Sequence, residues 1–216
     1  RLLIIFLKNF DPLVSVIHKI LEHKPESFES FDDHTLKLGI RHLFFRFAFK
    51  FLPELWLIIT SGLPQLVLIA EFTGDSEQEV LAKTLAAQES IKDLNLKTRV
   101  TKDAKDTEKY WTLRRESFNL LRTKIKGKKT APFLDDIIVN PDQLSEFLPK
   151  LDSILKQYNL IYTVAGHIGD GNFHIIPLMD LSDPEAKRII PELMNKVYNL
   201  IFKFRGSITA EHNDGL

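Results

Sequence analysis

The chain has 216 residues, 44% hydrophobic and 27% charged, a balance that supports a sizeable packed core and excludes a disordered or collagen-like polypeptide. Its 29 Lys plus Arg match its 29 Asp plus Glu, so no global field draws it to nucleic acid or to an anionic membrane. The absence of cysteine removes disulfides, thiolate zinc sites, iron–sulfur clusters and thiol nucleophiles, leaving metal and acid–base work to His, Asp, Glu, Ser and Lys.

Residues 1–50 are helix-like and close on LFFRFAFKF, where Phe44, Phe45, Phe47, Phe49 and Phe51 crowd around Arg46 and Lys50. We read 1–50 as a helical, Phe-rich connecting region and 51–216 as the main domain. The Phe-rich stretch suits packing against another domain better than it suits a basic-aromatic membrane foot. The opening RLLIIFLKNF is followed by no small-residue cleavage site, which argues against a signal peptide. The apolar run from Leu43 to Phe72 is broken by Arg46, Lys50, Pro53, Glu54, Gly62 and Pro64, which rules against a membrane-spanning helix. A chain that opens on Arg1 and stops at Leu216 is expected to be a segment of a longer protein.

From Gln65 the pattern becomes regular. LVLIAEF reads as a buried strand and SEQEVLAKTLAAQESIKD as a helix opened by Asp75 or Ser76. LKTRVTK is a strand, DTEKYWTLRRESFNLLR a helix and FLDDIIV the next strand. PDQLSEFLPKLDSILKQY places Leu144, Phe147, Leu148, Leu151, Ile154, Leu155 and Tyr158 at helical spacing, with Pro141 suited to the first turn. LIYTVAG, a glycine turn, NFHIIPL, the helix DPEAKRIIPELMNKVYNLIFKF and a final strand SITAEH complete the chain. This order predicts an α+β, ferredoxin-like plan: a mixed or antiparallel sheet with helices on one face.

The chemistry concentrates in GHIGDGNFHIIP, residues 166–177. His167 ends one strand and His174 starts the next, so a hairpin can bring both imidazoles to one side of the sheet. A carboxylate added to them completes the two-histidine, one-carboxylate arrangement that binds Zn, Mn or Fe with open positions for substrate. Glu211, read as lying on the strand beginning at Ser207, is the candidate. The plainer alternative is a hairpin with two ordinary histidines, Gly and Asn merely supplying the positive φ of the turn. Spacing alone favours that alternative, although three of the seven histidines lie close to GDGN or Glu211. No phosphate loop is present, because Arg122 and Lys129 stand at the first Gly and last Ser/Thr places around Gly127 and Lys128. Neither is there a strand-borne G-x-G-x-x-G for a nicotinamide dinucleotide.

GHIGDGNFH, followed some forty residues later by GSITAEHNDGL, resembles the C-terminal domain of the FAD-linked oxidases, the family of D-lactate dehydrogenases, D-2-hydroxyglutarate dehydrogenase and the glycolate oxidase catalytic subunit. Weaker similarity extends through APFLDDIIV, YWTLRRES and LIAEFTGDS back to ESFDDHTLKL, from about residue 28 onward. The resemblance implies the cap, or substrate, domain of a flavin-dependent oxidase. It further implies that His167, His174 and Glu211 ligate a divalent metal, Zn, Mn or Fe, that His212 is the catalytic base, and that Asn172 and Arg114 bind the substrate. Arg115 is an equal contender on sequence alone, Asn172 also suits a left-handed turn, and His212 also suits a place behind a ligand.

Nothing in the chain resembles the Gly-rich flavin domain of that family, so FAD is expected to be bound mainly by a missing FAD-binding domain of the same protein, which leaves this chain's own cofactor-binding residues unassigned. Where the hydroxyglutarate branch has a substrate-binding lysine before its Tyr-Asp pair, this chain has Phe133, Leu134, Asp135 and Asp136. That departure favours a monocarboxylic 2-hydroxy acid such as D-lactate. The expected partners are a small-molecule 2-hydroxy acid, the flavin domain and an electron acceptor (quinone, cytochrome or iron–sulfur module), in the cytoplasm or peripheral at the inner membrane face. The contrasting expectation is a non-catalytic α+β binding module with a structural metal or none.

Overall fold

A computed structural model describes residues 1–37, 62–124 and 127–212, without the side chains of 116–124. The Phe-rich stretch 43–51 lies outside the described residues. In chain order the elements are β1 (Leu2–Leu7), α1 (Leu13–Leu21), β2 (Ser27–Asp32), β3 (Leu66–Glu71), α2 (Glu77–Ser90), β4 (Lys97–Val100), α3 (Ala104–Lys124), β5 (Lys129–Thr130), β6 (Leu134–Ile138), α4 (Leu144–Leu155), β7 (Ile161–Gly166), β8 (Asn172–Met179) and α5 (Pro184–Lys203). The strands form one eight-stranded sheet in the order β4-β1-β3-β2-β7-β8-β5, with β6 also pairing to β8. Every pairing is antiparallel.

The helical reading of residues 1–50 is corrected in the part described. RLLIIFLKNF is mostly strand β1, paired on both sides, and SFESFD is strand β2. β1 is buried on both faces: Leu3, Ile5 and Leu7 enter one apolar cluster, while Leu2, Ile4 and Phe6 enter the other. A strand buried on both faces has no polar alternation, so a continuous apolar run carries no signature distinguishing it from a helix. β1 and β2 both pair with β3 and its sheet, so residues on either side of position 50 share one sheet.

The helices are placed by their caps and apolar stripes. The Ser76 hydroxyl accepts from the Glu79 N–H at 3.2 Å, and the Glu79 carboxylate accepts from the Asp75 N–H at 3.0 Å, a reciprocal cap that opens α2. Asp183 caps α5 with Pro184 in its first turn. α4 buries Leu144, Phe147, Leu148, Leu151 and Leu155, as its spacing predicted. α1, α2, α4 and α5 all pack on the first cluster. α3 lies apart from them: its Tyr110 and Leu113 cover the second cluster, on the opposite face of the sheet.

Candidate functional site

The glycine turn GDGN builds the hairpin between β7 and β8. The His167 carbonyl accepts from the Asp170 and Asn172 N–H groups. Gly171 adopts φ +73°, and a Cβ on it would lie 1.9 Å from the Val139 carbonyl oxygen, so the position admits only glycine. His174 pairs with Ala165 across the hairpin, and the next residues along β7 lead to His167, which puts both imidazoles on the α3 side of the sheet. Their rings lie 5.7 Å apart in an edge-to-face arrangement.

The strands flanking the hairpin contribute one carboxylate each. On the β2 side, Ser30 pairs with Gly166, which brings Glu29 beside His167. Glu29 Oε1 lies 2.6 Å from His167 Nδ1, and Glu29 Oε2 forms an ion pair with Arg114 Nη2 at 2.6 Å. Glu29 is 5% exposed. On the β6 side, a bulge between Leu134 and Ile137 sets two residues, Asp135 and Asp136, against the single His174. Asp136 takes the left-handed conformation, φ +69°. Asp135 Oδ1 accepts from His174 Nδ1 at 2.9 Å.

The final segment does not form the expected strand SITAEH. Ser207 makes one isolated bridge to Ile138, and the chain then wraps around the Asp136 side chain. That carboxylate accepts from the N–H groups of Ala210 (2.7 Å), Glu211 (3.1 Å) and His212 (3.0 Å) and from the Asn172 amide (3.1 Å). Burial alone would raise its pKa, but these donors overcome that and hold the carboxyl well below the usual carboxylate range. One buried anion satisfying three successive N–H groups replaces a strand partner, so Glu211 sits on a loop clasped from below.

This loop aims Glu211 at the histidines. Glu211 Oε1 lies 3.1 Å from His167 Nε2 and 3.0 Å from His174 Nε2. His212 stacks on the His174 ring at 5.1 Å, with its Nε2 3.9 Å from Glu211 Oε1 and its Nδ1 3.8 Å from Asp135 Oδ2. Its side chain is half exposed, on the open side of the cluster. Of the six residues expected at the site, His167, His174, Glu211 and His212 converge and Arg114 joins them through Glu29. Asn172 is buried behind them, donating to Asp136 and to the Ile137 carbonyl, while its Oδ1 takes no partner from the protein. Arg115 points elsewhere, to Glu108 at the surface.

The donor set fits a divalent ion. With Nδ1 of each imidazole donating to a carboxylate, each Nε2 carries the lone pair. Two such lone pairs then face one carboxylate oxygen across about 3 Å, a repulsive contact unless a cation lies between them. Protonation answers the repulsion in part, since Asp135 raises the His174 pKa despite the opposing effect of burial. Two imidazole nitrogens and one carboxylate, each histidine backed by its own carboxylate, is the donor set of a zinc, manganese or iron centre with open positions. Ligand atoms of Asp136, His174, Glu211 and His212 also lie within 4.8 Å of one another, but the Asp136 oxygens are already engaged by N–H donors. We therefore assign Asp136 to the loop and not to a metal.

Sequence reasoning missed Glu29 and Asp135 and gave Asp136 no role. Glu29 shares the stretch SFESFD with two serines and Asp32, so nothing in the sequence singled it out.

The fold and the site together are those of a mixed α/β domain with an antiparallel sheet and a paired-histidine, carboxylate-backed cluster on one face. The chain matches the family described as FAD linked oxidases, C-terminal domain, over residues 1–216, and it belongs to that family. It is 27% identical over 201 residues to D-2-hydroxyglutarate dehydrogenase of Pseudomonas putida, covering 91% of this chain and 20% of the relative. It is also 27% identical over 150 residues to D-lactate dehydrogenase of Anaerostipes hadrus, covering 68% of this chain and 31% of the relative. The chain thus spans a fifth to a third of the length of these relatives. Among solved structures it superposes on an alkyldihydroxyacetonephosphate synthase with a TM-score of 0.64 at 13% identity, covering 95% of this chain and 39% of that one. A 4-ethylphenol oxidase from Gulosibacter chungangensis gives 0.60 at 12% identity, covering 97% and 45%. These structural likenesses establish the fold alone. Among the described residues no helix is long and apolar enough to cross a membrane.

Proposed function

We propose that the chain is the substrate- and metal-binding domain of an FAD-dependent dehydrogenase that oxidises a D-2-hydroxy acid, D-lactate-like, to the 2-oxo acid. The observation that carries this reading is the approach of two imidazole Nε2 atoms to one Glu211 oxygen within 3.1 Å, each ring held from behind by its own carboxylate. His167, His174 and Glu211 hold the ion. A divalent ion there supplies Lewis acidity to a hydroxyl and carboxylate presented together by a 2-hydroxy acid. Flavin on a separate FAD-binding domain would supply the hydride acceptor, with a quinone, cytochrome or iron–sulfur module as the electron acceptor beyond it.

The residues of this chain then divide the remaining work. Arg114, held by Glu29 beside the histidines, addresses the substrate carboxylate as the positive charge of the site. His212 takes the hydroxyl proton at Nε2, the ring atom beside the metal ligands, while Asp135 lies toward Nδ1 and stabilises the imidazolium that forms. Asn172 donates to Asp136 and so supports the loop that carries Glu211. Phe133 and Leu134 stand directly before the Asp135–Asp136 pair, and Lys128 and Lys129 lie further upstream in a basic run, which supports a monocarboxylic substrate over one with a distal second carboxylate.

Elemental analysis of untagged full-length protein tests the metal: one Zn, Mn or Fe per chain is expected, lost in His167→Ala/His174→Ala. Flavin reduction by D-lactate, abolished by His212→Ala with the metal retained, is expected alongside. No flavin reduction by any D-2-hydroxy acid sinks the substrate class. Unchanged turnover in His212→Ala sinks the catalytic reading in favour of a binding module.

A further inference from the structure

We propose that Glu29 is a positioning residue shared by both halves of the site, one carboxylate that fixes a metal ligand with one oxygen and the substrate arginine with the other. The inference rests on the metal reading given above and adds to it a residue on an element outside the histidine motif.

Four observations carry it. Glu29 Oε1 is 2.6 Å from His167 Nδ1, a distance at which the carboxylate dictates both the ring orientation and the tautomer, leaving the Nε2 lone pair toward Glu211. Glu29 Oε2 is 2.6 Å from Arg114 Nη2. The Glu29 side chain is only 6% exposed and that of Arg114 20%, so water replaces neither partner readily. Finally, β2 is bound at this level by Ser30 pairing with Gly166, so the backbone under Glu29 is held to the strand that carries His167.

The two contacts are mutually dependent. A buried carboxylate with both oxygens engaged shares its charge between the imidazole N–H and the guanidinium. Removing the guanidinium leaves the full charge on His167 Nδ1–H, which makes that ring a stronger donor to a metal. Removing the carboxylate frees the ring to rotate and frees Arg114 to swing toward other acids. Arg114 also lies close enough for its charge to act on His174 directly, so the share of its influence that runs through Glu29 is the share lost when Glu29 is replaced.

The test is a cycle of four full-length proteins, wild type, Glu29→Gln, Arg114→Met and Glu29→Gln/Arg114→Met, titrated with Co2+ against a chromophoric chelator. Affinity and the visible d–d spectrum are both read. Glu29→Gln is expected to weaken Co2+ binding about 10–100-fold and to alter the spectrum. Arg114→Met is expected to shift the affinity severalfold in the wild-type background and to have a clearly smaller effect once Glu29 is Gln, when only its direct field on His174 remains. Arg115→Gln, a surface change, serves as the control and leaves both readouts alone. If Glu29→Gln does not fold, Glu29→Asp decides, since it keeps the charge, shortens the reach by one methylene and is still expected to weaken binding severalfold. Wild-type affinity in the Glu29 variants, or an Arg114→Met effect of equal size in both backgrounds, overturns the shared role. Co2+ binding that survives His167→Ala/His174→Ala identifies a different failure, that of the metal reading itself.

Discussion

Asp136→Asn isolates the clasp under the 207–212 segment. In the wild type Asp136 Oδ2 accepts from the Ala210 and His212 N–H groups at 2.7 and 3.0 Å, and Oδ1 from Glu211 at 3.1 Å and from the Asn172 amide at 3.1 Å. An asparagine keeps one acceptor and turns the other into a donor, so two backbone N–H groups meet an N–H. Hydrogen bonds to a charged acceptor contribute about 1.5–3 kcal/mol each, and solvent recovers part of the loss where the loop is exposed. The net cost to docking of the segment is about 3 kcal/mol, which at 1.4 kcal/mol per decade is roughly a hundredfold in the undocked population. Amide hydrogen exchange at residues 210–212 is therefore expected to accelerate by about a hundredfold, with a comparable loss of metal affinity because Glu211 is no longer held in place. The pH dependence follows from a carboxyl whose folded pKa is depressed. Its contribution is fully present above the unfolded aspartate value, about 3.9, and is lost as pH falls below that toward the folded value. The gap between wild type and variant should close under acid conditions. Identical exchange at 210–212 in the two proteins at neutral pH would refute the assignment of Asp136 as the anchor of the loop.

Gly171→Ala forces a side chain into a left-handed position against the Val139 carbonyl, and should cost about 3 kcal/mol or more by urea unfolding; a loss under about 0.5 kcal/mol would mean the turn is not built this way. Asp135→Asn removes the charge behind His174 and is expected to weaken metal binding about 10–100-fold in a chelator competition, with wild-type affinity counting against its role. His34 lies 3.3 Å from Asp32 Oδ2 and 3.1 Å from Asp33 Oδ1, and these hydrogen bonds push its pKa up to about 9. A raised folded pKa contributes stability present in full below about pH 6.5 and lost as pH rises through about 9. Unfolding midpoints of wild type should fall between pH 7 and 9.5 relative to His34→Gln, and parallel pH profiles would remove His34 as the cause.

Helices with one wet face were legible in the sequence, and so was β3, a short apolar run bounded by Pro64 and Gly74, although both of its faces are buried. α4 and α5 show apolar stripes at helical spacing, and of the two openings read for α2, Asp75 or Ser76, the structure uses Ser76 as the cap. β1, as dry on both faces as β3, was read together with the helical spacing of residues 13–21 that follow it, and the Phe28 to Phe31 spacing in β2 mimics a helical step. At the site, the local motif was readable because its geometry is contained in one hairpin: GDGN turns the chain and the two histidines fall on one side. Glu29 and Asp135 reach the same histidines from 138 and 39 residues away in sequence. That proximity depends on strand order and on a bulge, neither of which leaves a trace in composition or spacing. SITAEH looked like a strand because its apolar alternation is real, but Asp136 captures the N–H groups of Ala210 and its neighbours that a sheet partner would have used.

β2 and β7 are joined by only two residue pairs, Ser30 with Gly166 and Phe31 with Ala165. They divide the sheet into two four-stranded halves, β4-β1-β3-β2 on one side and β7-β8 with β5 and β6 on the other. The first half carries Glu29 and has Arg114 packed over it from α3; the second carries His167, His174 and Asp135 and receives the Glu211 loop. Occupancy of the site thus acts as a fastener across this short join between the two halves, and ligand should slow opening there. The same division constrains how such domains can diverge: a half-sheet grafted from a relative would fold against its neighbour yet leave His167 without the carboxylate that orients it, unless position 29 travelled with position 167.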